Sequence, residues 1–131
     1  MSYYEYKERR AYVYVLTDMD KNVFYVGCTT QTLTNRLLGH LNAAKKNYPY
    51  TNIAKNEKIR SLDFNVLIKE VDCVTVKAIS SKKAILLAEK LEHQWIVKIY
   101  TSGIMLFNSQ REIFRALNSV SRERKIITVI Q

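Results

Sequence analysis

The chain has 131 residues, 47% of them apolar, and its 21 Lys and Arg against 12 Asp and Glu give a formal charge of +9. This length suits one domain with a single core, and the apolar content excludes an intrinsically disordered chain. The positive charge is typical of proteins that bind nucleic acid, although it equally suits a soluble protein kept monomeric by charge repulsion.

The sequence also limits where we expect the protein to work. No apolar run reaches the roughly 18 residues of a membrane span, and the start, MSYYEYKERR, is too polar for a signal peptide. Cys28 and Cys73 stand apart, without a second pair that would form a CxxC metal site. We therefore expect a cytoplasmic protein with two reduced thiols and no contact with a membrane.

The first half of the chain predicts a β-hairpin followed by helices. Residues 11–17 and 23–28 are rich in β-branched and aromatic side chains, and DMDKN between them forms the loop. A helix is predicted over 30–46, with Thr32 or Thr34 as its N-cap. It ends before Pro49, which disfavours helix at the preceding residue. A short basic helix is predicted over 52–61.

The second half adds one strand and one long helix. FNVLIKEV, residues 64–71, predicts a third strand, and residues 82–101 predict a helix that Ser80 or Ser81 caps and Gly103 ends. Beyond it we predict a short extended piece, a helix and a terminal strand, over 104–108, 111–119 and 125–131. The order β-β-α-(α)-β-α predicts an α+β fold, a small three-stranded and mainly antiparallel sheet flanked by helices.

The long predicted helix carries a carboxylate where an apolar residue is expected. At about 100° per residue its apolar side chains fall in one arc, with Glu92 inside that arc and Glu89 at its edge. A carboxylate on a buried face is costly unless it is paired or binds a cation. A core ion pair and a metal ligand are therefore both open for Glu92, with Glu89 as the second candidate. His93, about 100° further round the helix, is expected to be solvated.

The helix after the hairpin carries a polar pair. Arg36 and His40 are four residues apart, so they stack on one face at the border of a leucine stripe. Alone, such a pair is more often part of a solvated face. Together with Glu92 and Tyr25 it supplies a phosphate clamp, a proton-transfer group, a metal ligand and a phenol. Those are the groups needed to hydrolyse a phosphodiester.

These residues resemble the motifs of the GIY-YIG nuclease superfamily. The first motif, Gly-Ile-Tyr, matches Tyr12-Val13-Tyr14, with a tyrosine in place of the glycine, and the second, Tyr-Ile-Gly, matches Tyr25-Val26-Gly27. The family's helical Arg and His, its Glu and its closing Asn match Arg36, His40, Glu92 and Asn108. The likeness covers about residues 11–108. We therefore expect one nuclease domain over 1–131, with a core over 11–108 and a C-terminal extension over 109–131.

The resemblance implies a metal-dependent DNA endonuclease. Glu92 would hold one Mg²⁺ or Mn²⁺ per active site, and Arg36 would clamp a phosphate oxygen. Tyr14 would orient or deprotonate the attacking water, and Tyr25 would orient water or contact phosphate. His40 would hydrogen-bond a tyrosine or assist proton transfer.

Two further residues would support the site. Gly27 would let backbone pass close to the site without a side chain in the way, and Asn108 would brace it. The register of the hairpin decides whether Tyr14 and Tyr25 share a face of the sheet, because a one-residue slip sends a side chain to the other face. Sequence alone leaves that register open.

Basic segments after the first helix are the expected DNA contacts, namely Lys45, Lys46, Lys55, Lys58 and Arg60. Lysines chiefly contact phosphates, so we expect modest sequence preference. A stand-alone nuclease from a phage or mobile element, or one working in repair or defence, is the expected context.

Two other functions stay open at this stage. The high charge and the altered first motif also suit a module of the same fold that binds DNA with little or no turnover. The apolar tail over 126–130 also suits a protein-interaction domain, in which it adds a strand to a partner or to a second copy in a homodimer.

Overall fold

The computed structural model describes residues 6–46 and 52–130, without the side chains of 123–130. Its elements are β1 (Lys7–Thr17), β2 (Val23–Thr29), α1 (Leu33–Lys46), α2 (Ile53–Ser61), β3 (Leu67–Ala78), α3 (Lys82–Thr101) and α4 (Gln110–Ile130). The three strands form one antiparallel sheet in the order β2-β1-β3. The predicted α+β fold is confirmed.

The central strand β1 is buried on both faces over 11–17, and its side chains alternate there between two cores. Val13 and Val15 join a cluster with α3 and α4. Tyr14 and Leu16 join a second cluster with Ala44 of α1 and α2. The sheet is therefore a layer between two helical layers, and a residue's place along β1 decides which layer it meets.

The third strand lies further along the chain than predicted. Asp63 and Phe64 have φ angles of 52° and 62°, which place them in the turn after α2 rather than in a strand. β3 therefore begins at Leu67, and it continues to Ala78 because β1 extends back to Lys7 and pairs with it throughout. Local composition did not predict these extensions of β1 and β3, because they contain charged and polar residues. Pairing between the two strands keeps these residues in strand conformation.

The strand predicted over 125–131 is wrong, because α4 is helical through Ile130. Ser109 and Glu112 form a capping box at its start: Glu112 N donates to Ser109 Oγ at 3.1 Å, and Ser109 N donates to Glu112 Oε1 at 3.4 Å. No Gly or Pro follows to end the helix, so propagation overrides the β-propensity of KIITVI. The dimer by strand addition, which depended on that strand, loses its basis. No described helix is long and apolar enough to cross a bilayer.

Candidate active site

The register of the β1–β2 hairpin brings the two motif tyrosines together. Tyr14 pairs with Gly27, and Leu16 pairs with Tyr25, so the two tyrosines are diagonal neighbours on the same face. Their ring centroids are 6.5 Å apart. The question that sequence left open is thus decided: both phenols face the α1–α2 side of the sheet.

Gly27 makes room for Tyr14. A Cβ at Gly27 would lie 2.5 Å from Tyr14 Oη and 2.6 Å from Cζ, well inside van der Waals contact. Tyr14 is fully buried and has little space to retreat. The glycine of the second motif therefore lets the tyrosine of the first lie across β2.

Helix α1 supplies two groups that meet the Tyr14 hydroxyl. Thr32 caps the helix, because its Oγ1 accepts a hydrogen bond from Asn35 N at 3.2 Å. Arg36 and His40 follow one and two helical turns later. Arg36 Nε donates to Tyr14 Oη at 3.1 Å. His40 Nε2 lies 2.7 Å from the same oxygen, and His40 is buried.

Lys55 belongs to this cluster, although sequence placed it on a DNA-binding surface. Lys55 is only 5% exposed, so it lies inside the fold rather than on the surface. Its Nζ lies 2.8 Å from His40 Nδ1 and 5.6 Å from the centroid of the Tyr25 ring. The helical spacing held a signal: Lys55 is four residues before the buried Ile59, so the two share a face.

The contacts of His40 determine its tautomer. Burial, with Lys55 and Arg36 nearby, lowers the pKa of His40 to about 2, so the ring is neutral at pH 7. Burial and Arg36 lower the pKa of Lys55 to about 8, which still leaves it mainly an ammonium group at pH 7. An ammonium group only donates, so Nδ1 accepts and the ring proton sits on Nε2. His40 therefore donates to Tyr14.

Tyr14 Oη consequently accepts two hydrogen bonds, from a neutral imidazole and from a guanidinium. Burial raises the pKa of Tyr14 to about 12, and Arg36 opposes that rise. Two donors on a phenol oxygen favour its ionised form. Burial likewise raises the pKa of Tyr25, whose hydroxyl has no hydrogen bond to a described residue.

Glu92 lies on α3, beside the opposite face of β2. It lines a cavity of about 260 Å³ together with Cys28, Glu89, His93, Glu112 and Arg115. Burial raises the pKa of Glu92 to about 7; a hydrogen bond with Cys28 counters that rise, and Glu112 and Glu89 add to it. Burial also raises the pKa of the Cys28 thiol, so the thiol is the donor in this bond.

The two sides of the site act on each other across β2. The charge of Glu92 raises the pKa of Tyr14 and of Tyr25, and that of Arg36 lowers the pKa of Cys28. Such interactions require the groups to be near one another. Glu89, the second candidate of the sequence reasoning, lies exposed at the rim of the same cavity.

Asn108 ties the segment after α3 to the free edge of β2. Its Oδ1 accepts from Val26 N at 3.0 Å, and its Nδ2 donates to Val26 O at 2.8 Å. Phe107 N adds a bond to Phe24 O at 2.7 Å. Nδ2 also contacts Glu112 at 3.1 Å, a residue that sequence reasoning missed although it lies one helical turn beyond Asn108. These bonds attach the segment that follows α3 to the backbone of β2.

The remaining basic residues of the sequence prediction lie outside the cluster. Lys45 and Lys46 are exposed at the end of α1. Lys58 is half-buried, with Nζ 5.5 Å from the centroid of the Phe107 ring. Arg60 donates to the carbonyl of Ala44 at 2.8 Å, which joins α2 to the end of α1.

The donor set around Glu92 suits a hard cation only in part. Within 6–46 and 52–122, where side chains are described, no group of three or more His, Cys, Asp or Glu is arranged to hold a metal ion. Burial and two nearby carboxylates disfavour the charged form of Glu92, and a cation would favour it. Mg²⁺ commonly takes one or two carboxylates and completes its shell with water and substrate phosphate.

Comparison with known families agrees with this geometry. Residues 10–102 match the GIY-YIG catalytic domain. The chain belongs to the GIY-YIG family. GIY-YIG domains are generally endonucleases, so the match supports a function of the nuclease type. Neither curated proteins nor solved structures give a match. The GIY-YIG match ends before Asn108 and α4, which lie beyond it.

Proposed function

We propose that this GIY-YIG protein is a metal-dependent DNA endonuclease with one divalent metal per site. The observation that carries the proposal is the environment of Tyr14. Its oxygen accepts hydrogen bonds from His40 and Arg36, and the charge of Glu92 raises its pKa. A buried phenol oxygen that accepts two hydrogen bonds beside a carboxylate would be a base next to a cation ligand, once a cationic environment lowers its pKa.

The proposed reaction begins with Tyr14, ionised to its phenolate, taking a proton from a water molecule. The water oxygen attacks phosphorus, and the bond from phosphorus to the 3′ oxygen breaks. The products are a 5′-phosphate and a 3′-hydroxyl, whose proton comes from solvent. The pKa of Tyr14 is about 12 in the free protein, so a cationic environment must lower it for catalysis.

Arg36 serves two purposes in this scheme. Its Nε bonds Tyr14, which leaves both terminal nitrogens for a non-bridging phosphate oxygen. The same guanidinium would thus set the distance between the base and the phosphate. Tyr25 would orient the water with its free hydroxyl, and Asn108 would keep β2 in place.

Glu92 is the residue that would hold Mg²⁺ or Mn²⁺, with Glu89 and Glu112 close enough to act on its charge. The ion, when bound, supplies stabilisation of charge on the scissile phosphate and the leaving oxygen. Water and phosphate would provide its other ligands, since the described side chains converge in no larger group.

Tyr12, in place of the first motif's glycine, is compatible with an active enzyme. It lies within β1, opposite Thr29 and Cys73, and is half-buried. The positive φ angles of described non-glycine residues occur elsewhere, at Lys21, Asp63 and Phe64. A tyrosine is therefore accommodated there in regular strand geometry.

Nicking of supercoiled plasmid tests the proposal. Wild type should convert it to open circles with Mg²⁺ or Mn²⁺ and not with EDTA. Tyr14→Phe should slow nicking by about 100-fold or more, and Glu92→Gln should abolish it. Glu57→Gln, on the exposed side of α2, is the matched control and should act as wild type.

Three results would count against the proposal. A wild-type protein that binds plasmid and never nicks it would indicate a DNA-binding module. Full activity in Glu92→Gln would remove the metal assignment. Nicking by Tyr14→Phe at the wild-type rate would remove the base.

A further inference from the structure

A second cavity lies between α3 and α4, beside the one lined by Glu92. Its volume is about 760 Å³, and all but one of its lining residues belong to α4, beyond the last residue of the family match. We call it the α4 groove. It is lined by His93, Arg111, Phe114, Arg115, Asn118, Ser119 and Arg122. His93, expected to be solvated, is half-buried in its wall.

The α4 groove and the Glu92 cavity share a wall. His93 and Arg115 line both. A chain molecule bound with one group at Glu92 would therefore pass directly into the groove. For a polynucleotide this means that nucleotides next to the scissile phosphate would contact α4.

The groove carries three positive charges on one helical stripe. Arg111, Arg115 and Arg122 are separated by four and seven residues, a spacing that places them on the same face of α4. All three are exposed, and none forms an ion pair with any side chain that the structure describes. Cations without acidic partners attract a polyanion, since each phosphate contact releases a counterion.

An exposed aromatic ring lies among these arginines. Phe114 is 62% exposed, whereas its neighbours Ile113 and Ala116 are buried against the sheet. A ring left in water inside a basic groove offers a surface for a nucleobase. Base–aromatic stacking combined with a basic track is how proteins hold single strands.

We propose that the α4 groove binds a single-stranded DNA segment adjoining the cleaved bond, with phosphates on the arginines and a base on Phe114. The inference rests on the proposed nuclease function and names its substrate class, DNA that is unpaired on one side of the cut. A duplex would offer Phe114 no base face to stack on, because its bases are stacked on one another. Phe114 would then have no role.

Binding without metal tests the inference separately from cleavage. Fluorescence anisotropy in EDTA compares a short labelled single strand with a duplex of the same sequence. Phe114→Ala should weaken single-strand binding by about 5- to 150-fold, the range for one lost stacking contact. It should leave duplex binding unchanged. Leu86, which is 51% exposed, is another exposed apolar side chain on a helix. Leu86→Ala is therefore the control and should change neither single-strand nor duplex binding.

The arginines have a charge-matched control in three exposed lysines. Replacing Arg111, Arg115 and Arg122 by Ala should lower the salt slope of single-strand binding by about 2, from three contacts of about 0.7 each. The same change at Lys77, Lys82 and Lys83, which lie outside the groove, should leave the slope nearly unchanged. All six side chains are exposed, so circular dichroism should be that of wild type.

The inference would be overturned if Phe114→Ala weakened binding to single strand and duplex equally. It would also be overturned if Phe114→Ala weakened binding to neither. The inference would likewise fail if the triple arginine variant and the triple lysine variant showed the same salt dependence of single-strand binding. A protein that passes these binding tests and never nicks plasmid would keep the groove while the proposed catalytic function fails.

Discussion

Lys55 and His40 form a buried hydrogen bond, with 2.8 Å between Nζ and Nδ1. The bond joins α2 to α1, on the side of the His40 ring that faces away from the Tyr14 hydroxyl. Since an ammonium group can only donate, Lys55 sets the direction of the next bond, from His40 Nε2 to Tyr14. A residue that touches neither tyrosine hydroxyl thus orients the imidazole against the proposed base.

Replacing Lys55 with Met should release that orientation. Without a donor at Nδ1, both tautomers of His40 become accessible, and ¹⁵N NMR of labelled histidine should show the change from a single Nε2–H form. Nicking should slow, because a His40 ring in the other tautomer cannot donate to Tyr14. Lys58→Met, on the same helix, is the control. An unchanged tautomer in Lys55→Met would contradict the assignment.

Stability should depend on pH through His40. Its pKa is about 2 in the folded protein and near the ordinary 6.5 when unfolded. Below about pH 6 only the unfolded chain binds the proton, so the free energy of unfolding falls by about 1.4 kcal/mol for each pH unit from this group. The stabilisation is complete above pH 6.5 and is lost as the pH falls.

Urea unfolding at several pH values between 7 and 4.5 measures this slope. For His40→Gln, the free energy of unfolding should depend on pH with a slope smaller by that amount, whatever the variant's stability at pH 7, because the group that binds the proton only in the unfolded chain is gone. Parallel curves for wild type and His40→Gln would show that His40 is not held neutral.

Gly27→Ala should disrupt the site. The added methyl would meet the Tyr14 hydroxyl at 2.5 Å, and the buried ring has no room to move. We expect a loss of about 1–3 kcal/mol in unfolding free energy, typical of overpacking, and a large loss of nicking. Gly39→Ala is the matched control, because its Cβ would meet Arg36 Nη1 at an ordinary 3.6 Å.

That control should gain rather than lose stability. Gly39 lies inside α1, where alanine is favoured over glycine by about 0.5–1 kcal/mol. Thermal unfolding of the two variants beside wild type should show shifts of opposite sign. A Gly27→Ala protein with normal stability and nicking would mean that Tyr14 does not depend on the glycine.

Asn108→Ala should loosen the edge of β2. Both backbone groups of Val26 lose their Asn108 partners, at about 1–3 kcal/mol for each buried group left unsatisfied. Hydrogen exchange should quicken at the Val26 amide. Asn42→Ala, on the exposed face of α1, is the control. Wild-type protection at Val26 in Asn108→Ala would remove the proposed brace.

Much of the molecule followed from local sequence. The hairpin, the two helices that carry Arg36, His40 and Glu92, and the α+β class come from periodicity and turn residues, which act over a few positions. The bounds of α3 agree with its prediction because Gly103, with a φ of 94°, ends the helix locally. Glu92 was found because its carboxylate interrupts an apolar face, whereas Tyr14, Gly27 and Asn108 were identified by their resemblance to the family's motifs.

Tertiary structure decided the rest. Whether Tyr14 and Tyr25 share a face depends on register, which pairing across two strands sets. Lys55 looked like a surface cation, because its spacing from Ile59 indicates a shared face but not that α2 packs against α1 and buries that face beside His40. The tail reads as a strand by composition, yet a helix begun at Ser109 carries through it. Contacts between distant residues, and the burial they cause, settled what composition left open.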